Sequence, residues 1–383
     1  MTDMPVYLDY QATTPIDQAA REAMMPFLGD LFGNPHSSDH SFGHEASNAI
    51  GHARAQVAGF VNADDDEIVF TSGATESCNL ALRGIASRPG NGRRNRIVTL
   101  TTEHPAVFET VLDLGRSGFD PVVLPVAPDG ILDLTHLEKV LDERTLIVSV
   151  MAVNNEIGVV QPIAAIGARC RAAGALFHTD ATQAAGRIAI DVDEWNVDLM
   201  SLSSHKMYGP KGIGALFVRS GVKLKPIITG GSQEGGLRGG TLPPALIVGF
   251  GAACDIACTQ QEEDRARIEA LTKRLYDGLR EACPCLRLFG SAEHRVAGNL
   301  NVGISNIPAD EVIGNVKGQL AVSSGSACAS ATSDPSRVLL ALGLDRETAK
   351  SGVRISLGRF TTEKDIDTAI ATLSRFSSLP RST

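Results

Sequence analysis

From Glu67 to Val218, short β-branched runs alternate with longer amphipathic stretches, and this alternation limits the possible folds more than any other feature of the chain. EIVF (67–70) precedes TSGATESCNLALRGIAS, RIVTLT (96–101) precedes EHPAVFETVLDLGRSG, and TLIVSVMAV (145–153) precedes a loop and AAIGARCRAAG. A run too short for a helix, followed by a segment of helical period, is the signature of a βαβ crossover, so a mostly parallel sheet between helices is expected. Such sheets bind ligands beyond the carboxyl ends of their strands. His104, Asn155, Asp180 and Lys206 all fall at or just after a strand end and should converge on one edge.

The segment ALFHTDATQAAGRIAIDVDEWNVDLMSLSSHKMYGPK (175–211) concentrates chemistry. Asp180 closes an apolar stretch and Gln183 follows it, while Ser203, His205 and Lys206 follow the apolar run 197–202. A lysine for a Schiff base, a carboxylate to keep a pyridinium nitrogen protonated, and hydroxyl or imidazole donors for a phosphate are what pyridoxal phosphate requires. TSGATES (71–77) opens a helix after a strand, and the backbone N–H groups there with Thr75 suit a phosphate, although such turns also cap helices that bind nothing. No Walker pattern is present, and GPKGIG (209–214) does not replace it. Lys206 read alone is a surface lysine or, between apolar and glycine-rich flanks, a buried amine of lowered pKa. His104 is a helix cap, a core histidine, or a ring that stacks on a cofactor. Cys328, in AVSSGSACASATSDPS, lies among small and hydroxyl residues that read as a loop from which a thiolate can reach a bound substrate; the alternative is an inert thiol. Arg354, in SGVRISLGRF, begins a strand and offers a fork for a carboxylate or an internal ion pair.

The 383 residues, 43% hydrophobic and 21% charged, support one large core and a second smaller one. Residues 260–282, rich in Glu, Arg and Leu at helical spacing, lead from the first to the second. A net charge of -9 argues against a nucleic-acid surface, and Arg93, Arg94 and Arg96 read as a solvated loop. With no apolar run long enough to span a bilayer and no signal-like N-terminus, a cytoplasmic protein off the membrane is expected. Seven cysteines without zinc-ribbon spacing favour neither a disulfide framework nor a structural metal. His36, His40 and His44 read as a loop and helix start, and Cys283-Pro-Cys285 alone cannot complete a zinc site.

The pieces FGNPHS, TSGATES, TEHPAV, NNEIGVVQPI, HTDATQAAG, SLSSHKMYGPKGIG, RGGT and SSGSACAS together resemble the cysteine desulfurases of the IscS/NifS type, within the class V aminotransferase group of fold-type I pyridoxal phosphate enzymes. The resemblance runs from YLDYQATTP at Tyr7 to about residue 367. It implies an α/β fold with a large cofactor-binding domain (15–258) around a mostly parallel seven-stranded sheet. A smaller α/β domain (1–14 and 259–383) would carry the cysteine loop, about 321–334. It further implies that Lys206 links to the cofactor and later moves the Cα proton, that Asp180 pairs with the pyridinium nitrogen, Gln183 with the phenolic oxygen, and that His104 stacks on the ring. Ala74, Thr75, Ser203 and His205 would hold the phosphate, Thr241 would reach the phosphate of a neighbouring subunit in a homodimer, and Asn155 and Arg354 would seat the substrate. Cys328 would take sulfur from L-cysteine as a persulfide, leave L-alanine, and pass the sulfur to an acceptor protein in iron–sulfur cluster assembly or in DNA or tRNA sulfur modification. No intrinsic metal is implied, although the Cys328 persulfide could contact an iron–sulfur cluster. TGGSQEGGLRGGT (229–241) reads closer to the nitrogen-fixation branch, and the long tail with which the housekeeping branch docks its scaffold is expected to be missing. A selenocysteine lyase or aminotransferase is the alternative enzyme, and a catalytically idle sulfur-relay scaffold the alternative outside enzymes.

Overall fold

The structure, a computed structural model, describes residues 4–88, 90–304, 307–325 and 334–378. In chain order they form β1 (Val6–Tyr7), α1 (Gln18–Met24), α2 (Ser41–Val61), β2 (Ile68–Thr71), α3 (Ala74–Ala86), β3 (Arg96–Leu100), α4 (Pro105–Arg116), β4 (Asp120–Leu124), α5 (Leu134–Val140), β5 (Thr145–Ser149) and α6 (Ile163–Ala173). There follow β6 (Leu176–Asp180), β7 (Leu199–Ser203), β8 (Gly214–Val218), α7 (Pro244–Ala282), β9 (Arg287–Leu288), β10 (Asn299–Gly303), α8 (Ala309–Val316), β11 (Leu320–Ala321), α9 (Arg337–Ala341), α10 (Arg346–Lys350), β12 (Gly352–Ser356) and α11 (Glu363–Leu373).

The large sheet has seven strands in the order β2-β8-β7-β6-β5-β3-β4. The pairs from β7 through β6, β5 and β3 to β4 are parallel, and β8 runs antiparallel to both β7 and β2. This is the mostly parallel α/β architecture expected. β5, β7 and β8 are buried at every residue because helices cover both faces of the sheet, and the hydroxyls of Thr145, Ser149, Ser201 and Ser203 are buried with their apolar neighbours. Phe70, Phe177, Phe217 and Phe250 fill its core, each at most 1% exposed.

The 39-residue helix α7 ties this core to a second one. Ile247, Phe250, Cys254 and Ala257 pack on the large sheet, whereas Leu271, Leu275 and Leu279 pack with β10 and β12 of a three-stranded antiparallel sheet, β12-β10-β9. β1 pairs in parallel with β11, so the beginning of the described chain runs beside the strand that precedes residue 326. From there residues 8–14 cross back to the carboxyl edge of the large sheet, where Thr14 N donates to His205 O (3.0 Å).

Two sequence expectations change, and the reading of the histidines as a loop and helix start holds. Arg96 is not in a solvated loop: it opens β3, and its guanidinium bonds Asp120 and Asp142, both at 2.9 Å, because neighbouring strand ends bring those acids to one edge. Arg94 donates to Thr145 O, and only Arg93 of that trio is exposed. Arg354 is the middle residue of β12, not its first. His40 caps α2, its Nδ1 accepting from Gly43 N (3.2 Å), and His44 Nε2 bonds Ser38 O (2.8 Å).

Gly214 shows how tightly β8 is fitted against the loop before α3. A Cβ there would lie 2.4 Å from Leu202 O and 2.7 Å from Gly73 Cα, backbone atoms with no freedom to retreat. Gly214→Ala should therefore lower stability by about 1–3 kcal/mol in urea unfolding. An unchanged midpoint would show that the loop can yield.

Candidate active site

One cavity of about 790 Å³ lies at the carboxyl edge of the parallel strands. Ala74, Thr75, His104, Asn155, Asp180, Gln183, Ser203, His205, Lys206 and Arg354 all line it. Thr241 is exposed and is not part of its lining, and Cys328 lies outside the described residues.

Lys206 ends the 3₁₀ turn that follows β7. Its Nζ donates to the carbonyls of Gln11 (2.8 Å) and Ala12 (2.7 Å), so the crossing N-terminal segment holds the amine in place. Burial, helped by the cations Arg354 and Arg187 and opposed by Asp180 and Asp9, lowers its pKa to about 8. An amine so shifted gives up its proton far more readily than an ordinary lysine, and the neutral form is the one a nucleophile or base needs.

Asp180 is the last residue of β6 and 5% exposed. Its Oδ1 accepts from Thr182 N (3.0 Å), and the buried Cys78 thiol faces its Oδ2 at 3.9 Å. Behind it His178 bridges three strands, with Nδ1 on Ser149 Oγ (2.8 Å) and Nε2 on Ser201 Oγ (2.9 Å); burial pushes this imidazole down to about 4, so it stays neutral. A carboxylate fixed in this way can pair with a cationic ring nitrogen from the cavity side.

His104 caps α4, its Nδ1 accepting from Ala106 N (3.1 Å), with Pro105 in the first turn. In the neutral ring the proton then sits on Nε2. Burial favours that neutral form, Lys206 and Arg337 adding to it and Asp180 opposing. His104 is thus the helix cap that one sequence reading expected, and it also lines the cavity.

The start of α3 carries no side-chain cap. Gly73 stands at its N-cap with φ +148 and supplies no side-chain acceptor to the first-turn N–H groups. Ala74, Thr75, Ser203 and His205 surround this helix end. His205 Nδ1 bonds Thr13 Oγ1 (3.0 Å), and its pKa is lowered to about 4 by burial and by Lys206 and Lys211, so it meets an anion as a neutral donor.

Gln183 also has a protein partner. Its Nε2 donates to Gln11 O (2.9 Å), and Oε1 is the buried atom without a partner. Arg354 is engaged through Nη1 with Asn155 O (2.7 Å) and through Nη2 with Asp9 (2.8 Å).

Sequence reasoning missed several lining groups. Glu103 is 1% exposed; its Oε1 accepts from Met151 N (2.8 Å), its Oε2 has no partner, and burial lifts its carboxyl well above the usual carboxylate range. Glu156 accepts from Ser336 Oγ (2.5 Å), which joins the NNEIG turn to the segment just after residue 333. Gln11 contributes a carbonyl to Lys206 and an unpartnered Nε2. All three lie inside segments already singled out, TEHPAV, NNEIGVVQPI and YLDYQATTP, but beside the residues that drew notice.

Comparison with known proteins agrees with this geometry. The aminotransferase class-V family model matches residues 6–368. The chain is 48% identical over 369 residues to a cysteine desulfurase IscS of Rickettsia bellii (strain OSU 85-389), covering 96% of this chain and 90% of that protein. Among solved structures, a NifS-like protein superposes with a TM-score of 0.91 at 35% identity, covering 97% of this chain and 99% of the other. SspA in complex with cysteine superposes with a TM-score of 0.81 at 37% identity, covering 93% and 99%.

The lowered pKa of Lys206 is directly measurable. In the cofactor-free chain, competitive acetylation of Lys206 should rise with a midpoint near pH 8, well below the ordinary lysine value of 10.5. A midpoint at the ordinary value would mean that water reaches the amine.

Proposed function

The chain belongs to the class-V aminotransferase family, and we propose that within it this protein is a cysteine desulfurase: it removes the sulfur of L-cysteine, releases L-alanine and leaves a persulfide on Cys328. The observation that carries the reading is a half-buried amine of lowered pKa, Lys206, in the same cavity as a fixed carboxylate, Asp180, and the start of α3, which no side chain caps.

That donor set fits pyridoxal phosphate. The first-turn N–H groups at Ala74 and Thr75, with Ser203 and His205, suit the phosphate; Asp180 suits the pyridinium nitrogen; Lys206 suits the aldehyde carbon. The orphaned Gln183 Oε1 is a buried polar atom that awaits a partner in the cavity. When bound, the cofactor supplies an electron sink for a carbanion at the substrate Cα.

The chain's own residues do the rest. Asn155 and Arg354 seat the α-carboxylate, which orients the Cα–H bond toward Lys206. Lys206, its pKa lowered to about 8, takes the Cα proton in its neutral form and returns it within the site. His104, kept neutral by burial, stacks on the ring and offers its Nε2 proton. The Cys328 thiolate attacks the substrate sulfur, so that an S–S bond forms while the Cβ–S bond breaks. Cβ keeps the electron pair and gains a proton, and cysteine plus thiol becomes alanine plus persulfide.

Further parts of the reading concern assembly. Residues 15–258 form the cofactor-binding domain, and 1–14 with 259–383 a smaller domain that brings Cys328 to the site. Thr241 is exposed, as a residue that reaches the phosphate of a second subunit in a homodimer must be before assembly. The persulfide passes to an acceptor protein of iron–sulfur assembly or nucleic-acid sulfur modification. Among the described residues no helix is long and apolar enough to cross a membrane.

Cys328→Ser should retain the yellow cofactor complex and lose protein-bound persulfide in a thiol-trapping assay with L-cysteine. Full sulfur transfer by that variant would remove Cys328 from the mechanism. Lys206→Ala should lose turnover by at least about a thousandfold, since it deletes both the cofactor link and the base. Retention of a tenth of the activity would contradict the role given to Lys206.

A further inference from the structure

Arg354 seats the substrate carboxylate in the reading above, yet half of its fork is already taken. A carboxylate that meets a guanidinium side-on uses Nε–H together with the adjacent Nη2–H. Here Nη2 donates to Asp9 Oδ1 (2.8 Å), while Nε is buried and has no partner. Nη1 faces the other way, onto Asn155 O (2.7 Å). Asp9 therefore stands on a fork that it only half satisfies. An unpaired donor in so buried a residue, 2% exposed, is costly, and a carboxylate reaching both N–H groups relieves that cost.

The same Asp9 oxygen has a second partner. Ser323 Oγ donates to Asp9 Oδ1 (3.1 Å), and Ser323 lies two residues beyond β11, in the stretch that leads to residue 326. Its backbone is also bridged to Arg354, with Ser323 N on Arg354 O at 3.2 Å. One carboxylate oxygen thus joins the carboxylate-binding cation to the stem of the segment that carries Cys328.

We propose that Asp9 is a placeholder for the substrate carboxylate, a specificity-determining residue that a bound α-carboxylate displaces from Arg354, loosening Ser323 and the stem before Cys328 as it does so. The inference rests on the desulfurase reading for the identity of the substrate, but its structural content needs only a ligand with an amine and a carboxylate. An amine without a carboxylate leaves Asp9 in place and the stem tied. The device thereby favours free amino acids over decarboxylated or carboxyl-blocked thiols.

The test uses the cofactor-loaded protein with L-alanine and ethylamine as probes, binding read by calorimetry and backbone opening by hydrogen exchange. Asp9→Asn keeps the shape and removes the competing charge, so it should bind L-alanine about three- to tenfold tighter with ethylamine unchanged. In the wild type, saturating L-alanine should speed exchange at residues 320–325, and ethylamine should not. Equal or weaker L-alanine binding by Asp9→Asn would make Asp9 a fixed support of Arg354 and overturn the proposal. So would exchange at 320–325 that ignores L-alanine, a readout that holds even if the variant does not fold. Wild-type alanine production from L-cysteine is scored separately: its absence would refute the desulfurase reading, while the binding and exchange contrasts would still judge Asp9.

Discussion

The two hydrogen bonds from Lys206 Nζ to the carbonyls of Gln11 and Ala12 hold the functional architecture together. They join a lysine at the end of a central strand to a segment from the far end of the chain. The neighbouring carbonyl, Tyr10 O, accepts from Arg187 (3.2 Å), and Gln11 O also takes Gln183 Nε2. Three consecutive backbone oxygens therefore set the positions of an amine, an amide and a guanidinium. Just before them, Leu8 N bonds Ala321 O (3.0 Å), and Asp9 pairs with Arg354. Any shift of residues 8–12 is felt at the cavity floor and in the stem before residue 326 alike.

Burial then decides the protonation states. Lys206, His104, His178 and His205 are all shifted toward their neutral forms, with burial the first cause in each case. A cavity that shifts its bases toward their neutral forms, yet presents a carboxylate and an open helix start, suits a ligand with a cationic ring and a dianionic phosphate. Glu103, raised by the same burial, occupies the cavity wall without adding a second full charge beside Asp180.

The part of this legible in the sequence is the part governed by local pattern. Apolar runs and their spacing located the strands, and the rule that ligands gather at strand ends brought His104, Asn155, Asp180 and Lys206 to one edge. Arg354, far along the chain, was legible as a fork for a carboxylate or an internal ion pair, and its arrival in the same cavity depends on β12 pairing with β10. Main-chain groups could not be read in this way: the carbonyls of Gln11 and Ala12 would serve Lys206 whatever their side chains. Arg96 was misjudged because its partners Asp120 and Asp142 become neighbours only when separate strand ends align. Asp9, Glu103 and Glu156 lay inside recognised motifs, but their burial and shared partners follow from tertiary packing.

The central claim is that this cavity breaks the carbon–sulfur bond of L-cysteine and stores the sulfur on one residue. A single-turnover reaction with sulfur-labelled L-cysteine and no acceptor, followed by peptide mass spectrometry and alanine measurement, addresses it most directly. The account predicts one alanine released for each labelled sulfur retained, with the label on the peptide containing Cys328. Alanine without retained sulfur, or a label on Cys258 or Cys285 in its place, would contradict it.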